Sequence, residues 1–173
     1  MSNLYTRNII RFITLIFFQV LVLNNMNLGG YINPYIYILF ILLLPATINK
    51  SLLLIMAFVT GLTIDYFGNT LGLHAAATVL LAFARPGILN FFFSNMEFSS
   101  EEEPNITKLK PGGFLKYTLV LVFIHHSVLF FLEVFSFDGF LSTIYRIALS
   151  TLVTTLMIMI ITLIFTPRKK KKI

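Results

Sequence analysis

The 173-residue sequence has no cysteine and little charge: Asp, Glu, Lys and Arg together make up 12% of it. The first absence excludes a disulfide framework and any thiolate metal centre. The second excludes an ordinary soluble domain, in which about 25% of residues are charged. Catalytic sequence patterns are missing too. There is no Gly-x-Ser-x-Gly, no His-Glu-x-x-His, no phosphate-binding loop and no Gly-x-Gly-x-x-Gly. The acidic run Glu101-Glu102-Glu103 sits in a polar loop without histidine ligands on adjoining helices. The chain reads as a non-enzyme with no catalytic residue, cofactor site or metal site. Large extramembrane domains, internal repeats and low-complexity linkers are also lacking.

What is present is apolar. Hydrophobic residues make up 57% of the sequence, 19 residues are phenylalanine, and mean hydropathy is +0.88. Long apolar runs predict an all-α polytopic membrane protein with six transmembrane helices, at about 9–23, 35–48, 52–67, 71–93, 114–135 and 141–165. A span needs about 20 residues, so the second and third are short. Pro34 suits the first position of the second helix. Asn49-Lys50-Ser51 makes a tight joint before the third, and Pro111-Gly112-Gly113 breaks the chain before the fifth. The first run begins with Arg7 and Arg11 and continues past the length of a signal core. No small-residue cleavage site follows Leu23, so helix 1 is expected to stay as an anchor.

Positive charge then orients the bundle. With six helices, Arg7, Arg11, Lys50, Lys108, Lys110, Lys116, Arg168 and Lys169 to Lys172 fall on one side, and the only charge in the opposite loops is Asp138. The positive-inside rule places both termini in the cytoplasm. The net charge of +6 is therefore a topology signature and not a nucleic-acid footprint. The basic tail, 167–173, is expected to rest on anionic lipid headgroups, at about 1 kcal/mol per cation. The loop 94–113, acidic first and basic later, reads as a solvated, mobile cytoplasmic segment; docking of a cytosolic partner is the alternative.

Ionisable residues inside spans are costly, about 2.5–3.5 kcal/mol at a helix centre on insertion scales, and turn inward or towards an interface. Asp65, His74, Glu133 and Arg146 fall in one outer layer, where Glu133 and Arg146 are a candidate intramembrane pair. The preferred reading is a satisfied polar cluster that locks helices 3 to 6, against a binding or proton-handling site. Adjacent His125 and His126 point about 100° apart on a helix and cannot readily share a metal. Arg85, beside Pro86, is expected to snorkel to the cytoplasmic headgroups.

The most specific pattern is Gly61-Leu-Thr-Ile-Asp65-Tyr-Phe-Gly68-Asn-Thr-Leu-Gly72-Leu-His74. Glycines here allow close helix approach, and Asp65 can cap or pair at the rim. With the length, the six spans, Asn33-Pro34 and the basic tail, this stretch resembles the rod shape-determining protein MreD family. Helices 5 and 6 carry no family motif, and the long charged loop departs from the pattern. The resemblance implies a non-enzymatic scaffold of the bacterial cell-elongation complex in the cytoplasmic membrane, supporting cell shape and lateral peptidoglycan synthesis. Implied partners are an MreC-like single-span protein, an MreB-like filament, a RodA-type glycosyltransferase and a penicillin-binding transpeptidase. It also implies the six-helix fold of the substrate-binding components of energy-coupling-factor transporters. The rival reading is therefore a vitamin-type small-molecule binding subunit. Bulky residues throughout helix 1, in place of an Ala-x-x-x-Ala docking pattern, disfavour it.

Overall fold

The computed structural model describes residues 2–26, 32–135 and 139–166. Asp138 and the basic tail from 167 onward lie outside the described residues. The elements are α1 (Ser2–Leu21), a 3-10 turn (Leu23–Asn25), α2 (Ile38–Leu42), α3 (Lys50–Gly68), α4 (Leu73–Phe93), α5 (Ile106–Val134) and α6 (Phe140–Phe165). The chain is an all-α polytopic membrane protein. Among the described residues, five helices, all but α2, are long and apolar enough to cross a membrane. Their outward faces are apolar, as lipid demands; Ile9, Phe58, Phe83, Phe123 and Leu163 are all exposed.

α3 packs on α4, α4 on α5, and α5 on α6, while α1 leans on α2 and α3. The bundle has two distinguishable ends. The α3–α4 and α5–α6 connections mark the hairpin end. Arg7 near the start of α1, Glu103, and Phe165 at the end of α6 border one groove at the other, the loop end.

The second predicted helix is corrected. Residues 35–48 do not form a continuous span: α2 has five residues, a length of only about 7–8 Å. Irregular backbone and a turn precede α2, and further turns follow it. The segment passes through the middle of the bundle, from Gln19 of α1 and Ser150 of α6 to the 94–105 segment at the loop end. All nine residues from Ile36 to Leu44 are buried. Pro34 and Pro45 bracket the break, since each removes a backbone donor and the residue before each is biased away from helix. Non-helical backbone at membrane depth is tolerated only where protein satisfies its polar groups, and this requirement shapes the site described below.

The 94–113 loop is also corrected. It is not a loose solvated segment. Asn105 caps a helix that starts at Ile106, accepting from the N–H groups of Thr107 and Lys108 at 3.0 and 2.9 Å. The helix is interrupted at Lys110 (φ 60, ψ 158), and Pro111 opens the continuation, where a missing N–H is harmless. Residues 94–105 fold back on the bundle: Ala46 N–H donates to Glu102 O at 2.9 Å and Thr47 Oγ1 to Ser100 O at 3.0 Å. The Glu102 carboxyl is held below its ordinary pKa by the Lys108 ammonium and then by the Ser99 N–H. Glu103 is 7% exposed and takes Arg7 and Arg11 of α1 as partners. The Glu102–Lys108 pair joins the acidic and basic halves of the segment, while Glu103 draws its cations from α1, because a nearly buried carboxylate needs cations close by.

Candidate functional site

The α3–α4 hairpin is built on a close backbone approach. A Cβ on Gly61 would stand 2.5 Å from both Ala75 Cα and His74 O, so only glycine lets α3 meet the first turn of α4 at this distance. α3 ends at Asn69 in the left-handed conformation (φ 51), and α4 is entered through Gly72 (φ 82). Gly72 has no side chain to cap α4, and Asp65 substitutes from the preceding helix. Its Oδ1 accepts the His74 N–H at 3.0 Å and its Oδ2 the Ala75 N–H at 2.9 Å; Thr70 Oγ1 also donates to Oδ1. Asp65 is 2% exposed. A carboxylate at a helix N-terminus satisfies orphan donors and complements the dipole. Gly68 is less constrained; a Cβ there would lie 3.7 Å from its nearest neighbour.

The His74 ring packs inside the bundle, against Tyr35, Tyr37 and His125. Tyr37 Oη lies 3.0 Å from His74 Nδ1, 2.7 Å from His125 Nε2 and 3.4 Å from Thr78 Oγ1. One phenol thus ties α4 and α5 to the broken segment. Tyr35 packs against His74, His125, His126 and Phe130, at ring distances of 4.9 to 6.3 Å. The His125 and His126 rings stand edge to face, 5.5 Å apart, and take different hydrogen-bond partners. His126 Nδ1 donates to Val122 O at 2.9 Å, and Thr154 Oγ1 donates to its Nε2 at 3.3 Å.

Other polar groups complete the backbone of the broken segment. Gln19 Nε2 donates to Pro34 O at 3.0 Å and Gln19 Oε1 accepts the Ile36 N–H at 2.9 Å. Ser150 Oγ accepts the Asn33 N–H and Thr154 Oγ1 the Tyr35 N–H, both at 3.1 Å. At the other end Arg85 closes the carbonyls that follow α2. Its Nη2 donates to Leu44 O, its Nη1 to Pro45 O at 3.4 Å, and its Nε to Tyr117 Oη at 2.9 Å. Tyr117 Oη donates in turn to Leu42 O at 3.0 Å, and Arg11 Nη1 to Leu43 O at 3.3 Å. Arg85 is fully buried, so the expectation that it snorkels to headgroups is corrected. The carbonyls at the end of a helix carry partial negative charge, and they draw the guanidinium inward.

Glu133 and Arg146 form a two-pronged ion pair, with Nη1–Oε2 at 3.1 Å and Nη2–Oε1 at 3.2 Å. Arg146 stacks 4.2 Å over the Phe130 ring. In the amide orientation that satisfies both groups, Asn33 Oδ1 accepts from Arg146 Nε at 3.2 Å and Nη2 at 2.9 Å. The four residues of the outer layer thus form two groups, Asp65 with His74 and Glu133 with Arg146, bridged by Tyr35 and Phe130. Compared with known proteins, the chain matches no family model, no curated protein and no solved structure.

Residue patterns did not single out Gln19, Tyr37, Tyr117, Ser150 or Thr154. Their signal was a polar group inside an apolar helix, together with Pro45 inside an apparent span. Each cue is weak alone, because the partner is a backbone atom that no sequence pattern displays.

Proposed function

We propose that this chain is a non-enzymatic integral scaffold of the bacterial cell-elongation complex, residing in the cytoplasmic membrane with its loop end and both termini in the cytoplasm. The observation that carries the reading is the convergence of Gly61, Asp65, Gly72 and His74 on one rigid hairpin, whose polar groups are engaged with backbone and side chains of the bundle itself. A site used for chemistry exposes reactive groups to a substrate; here the buried polar groups hold helices in register. Such a bundle presents fixed apolar faces to partner helices, where packing and small residues supply specificity. An MreC-like single-span protein is the first partner expected on these faces. The glycosyltransferase, the transpeptidase and the filament follow as members of the same assembly.

Complementation in a rod-shaped host tests this. Gly61→Leu and Asp65→Ala, expressed at native level, are expected to lose elongated shape and to recover less of the single-span partner on co-purification. Normal shape with both variants would overturn the proposal.

A further inference from the structure

A groove of about 530 Å3 separates α1 from α6 at the loop end, within the range of about 300–1,000 Å3 typical of small-molecule sites. It exists because α1 packs on α2 and α3, whereas α6 packs on α5. Its walls are apolar, with Ile10, Leu15, Leu39, Ile161 and Phe165 along its length, and its rim carries Arg7, Arg11 and Glu103. Glu103 Oε1 accepts from Arg7 Nη2 at 2.8 Å and from Arg11 Nη1 at 3.1 Å. One carboxylate thus faces two guanidiniums, and the rim keeps a net positive charge. Arg7 is 53% exposed and has donors to spare, since a guanidinium carries five.

We propose that this groove binds an anionic phospholipid, with the phosphate on Arg7 and one acyl chain lying along Leu15, Leu39 and Ile161. The medium around these helices is lipid, so an apolar slot with a cationic rim near a helix end matches an acyl chain joined to an anionic headgroup. Guanidinium is suited to phosphate because its planar fork makes paired hydrogen bonds. The chain's own tail is a poor occupant, since the residues after Thr166 include five cations in succession.

The test uses the full chain in detergent and counts retained molecules by native mass spectrometry. Dioleoyl-phosphatidylglycerol is expected to be retained at least about five-fold over dioleoyl-phosphatidylcholine, the ratio that ~1 kcal/mol per cation at an anionic surface gives. Glycerol 3-phosphate, which has the headgroup chemistry without chains, is expected not to compete. Arg7→Gln should weaken phosphatidylglycerol retention about five-fold. Thr14→Trp, at an exposed position lining the groove, should displace the acyl chain and weaken it as well. Equal retention of the two lipids, or phosphatidylglycerol binding unchanged in both variants, would overturn the proposal. Should a variant fail to fold, a photoreactive acyl chain on phosphatidylglycerol decides the matter on the wild-type protein. Labelling concentrated on α1 and α6 supports the site, and labelling spread over all helices refutes it.

Discussion

Replacing Arg85 separates two accounts of a charge in the middle of a spanning helix. If Arg85 served only to reach the headgroups, Arg85→Met would be neutral or favourable, because removing a charge from a helix centre helps insertion by about 2.5–3.5 kcal/mol. The structure predicts the opposite sign for the folded state. Leu44 O would lose Arg85 as its donor, and a buried carbonyl left unpaired costs about 1–3 kcal/mol. Pro45 O would retain the Ile48 N–H at 3.3 Å, and Leu42 O the Tyr117 hydroxyl at 3.0 Å. Each would still lose a charge-assisted bond, stronger than a neutral one. Methionine roughly fills the space, so little cavity cost is added. A loss of about 2–5 kcal/mol follows, partly offset by the charge no longer being buried.

Two assays are needed, because insertion and folding are expected to move in opposite directions. Arg85→Met should insert at least as well as wild type, yet denature in mild detergent at lower temperature or denaturant concentration. Arg85→Lys should recover only part of the loss: an ammonium is a point charge and cannot span Leu44 O, Pro45 O and Tyr117 Oη as the guanidinium fork does. Wild-type stability in Arg85→Met, or full recovery in Arg85→Lys, would refute the clamp.

Gly61→Ala should cost about 1–3 kcal/mol by forcing α3 and α4 apart, whereas Gly68→Ala should fall within about 0.5 kcal/mol or stabilise slightly; comparing the two melting curves checks this. Gln19→Leu removes the partners of Pro34 O and Ile36 N–H, each worth about 1–3 kcal/mol when buried, and should also speed amide exchange at Ile36. For Glu133 and Arg146, side chains 43% and 22% exposed, a double-mutant cycle should return a coupling of about 1 kcal/mol or less. Strictly additive losses would show that the pair contributes nothing.

The five long helices were legible because a long apolar run has few alternatives in a bilayer, and the predicted ends of α3, α4 and α6 fall within two residues of those observed. The second segment was not legible from apolarity. A run such as Ile38-Leu39-Phe40-Ile41-Leu42 looks the same whether it faces lipid or is enclosed on all sides. Its break was written in Asn33-Pro34 and Pro45, and its support in Gln19, Arg85 and Tyr117, which lie far from it in sequence. Glu103 shows the same limit. Three adjacent glutamates differ only in what faces them, and only Glu103 meets the arginines of α1.

The motif residues and the broken segment belong to one construction. Asp65 fixes the first turn of α4, that turn presents His74, and His74 holds Tyr37, which belongs to the segment whose carbonyls Arg85 closes. A substitution at Asp65 therefore acts on the position of α4 before it acts on any partner. The backbone donors of His74 and Ala75 would be orphaned in Asp65→Ala, and buried amides left unpaired outweigh the removal of one charge that insertion disfavours. The proposed function therefore expects the residues that hold the bundle together and those that meet a partner to be different sets. On the function proposed above, partner contacts are expected on exposed apolar side chains such as Tyr66, Phe83 and Leu163. A substitution there that abolishes co-purification while leaving detergent stability unchanged would mark an interface; one in the hairpin lowers both together.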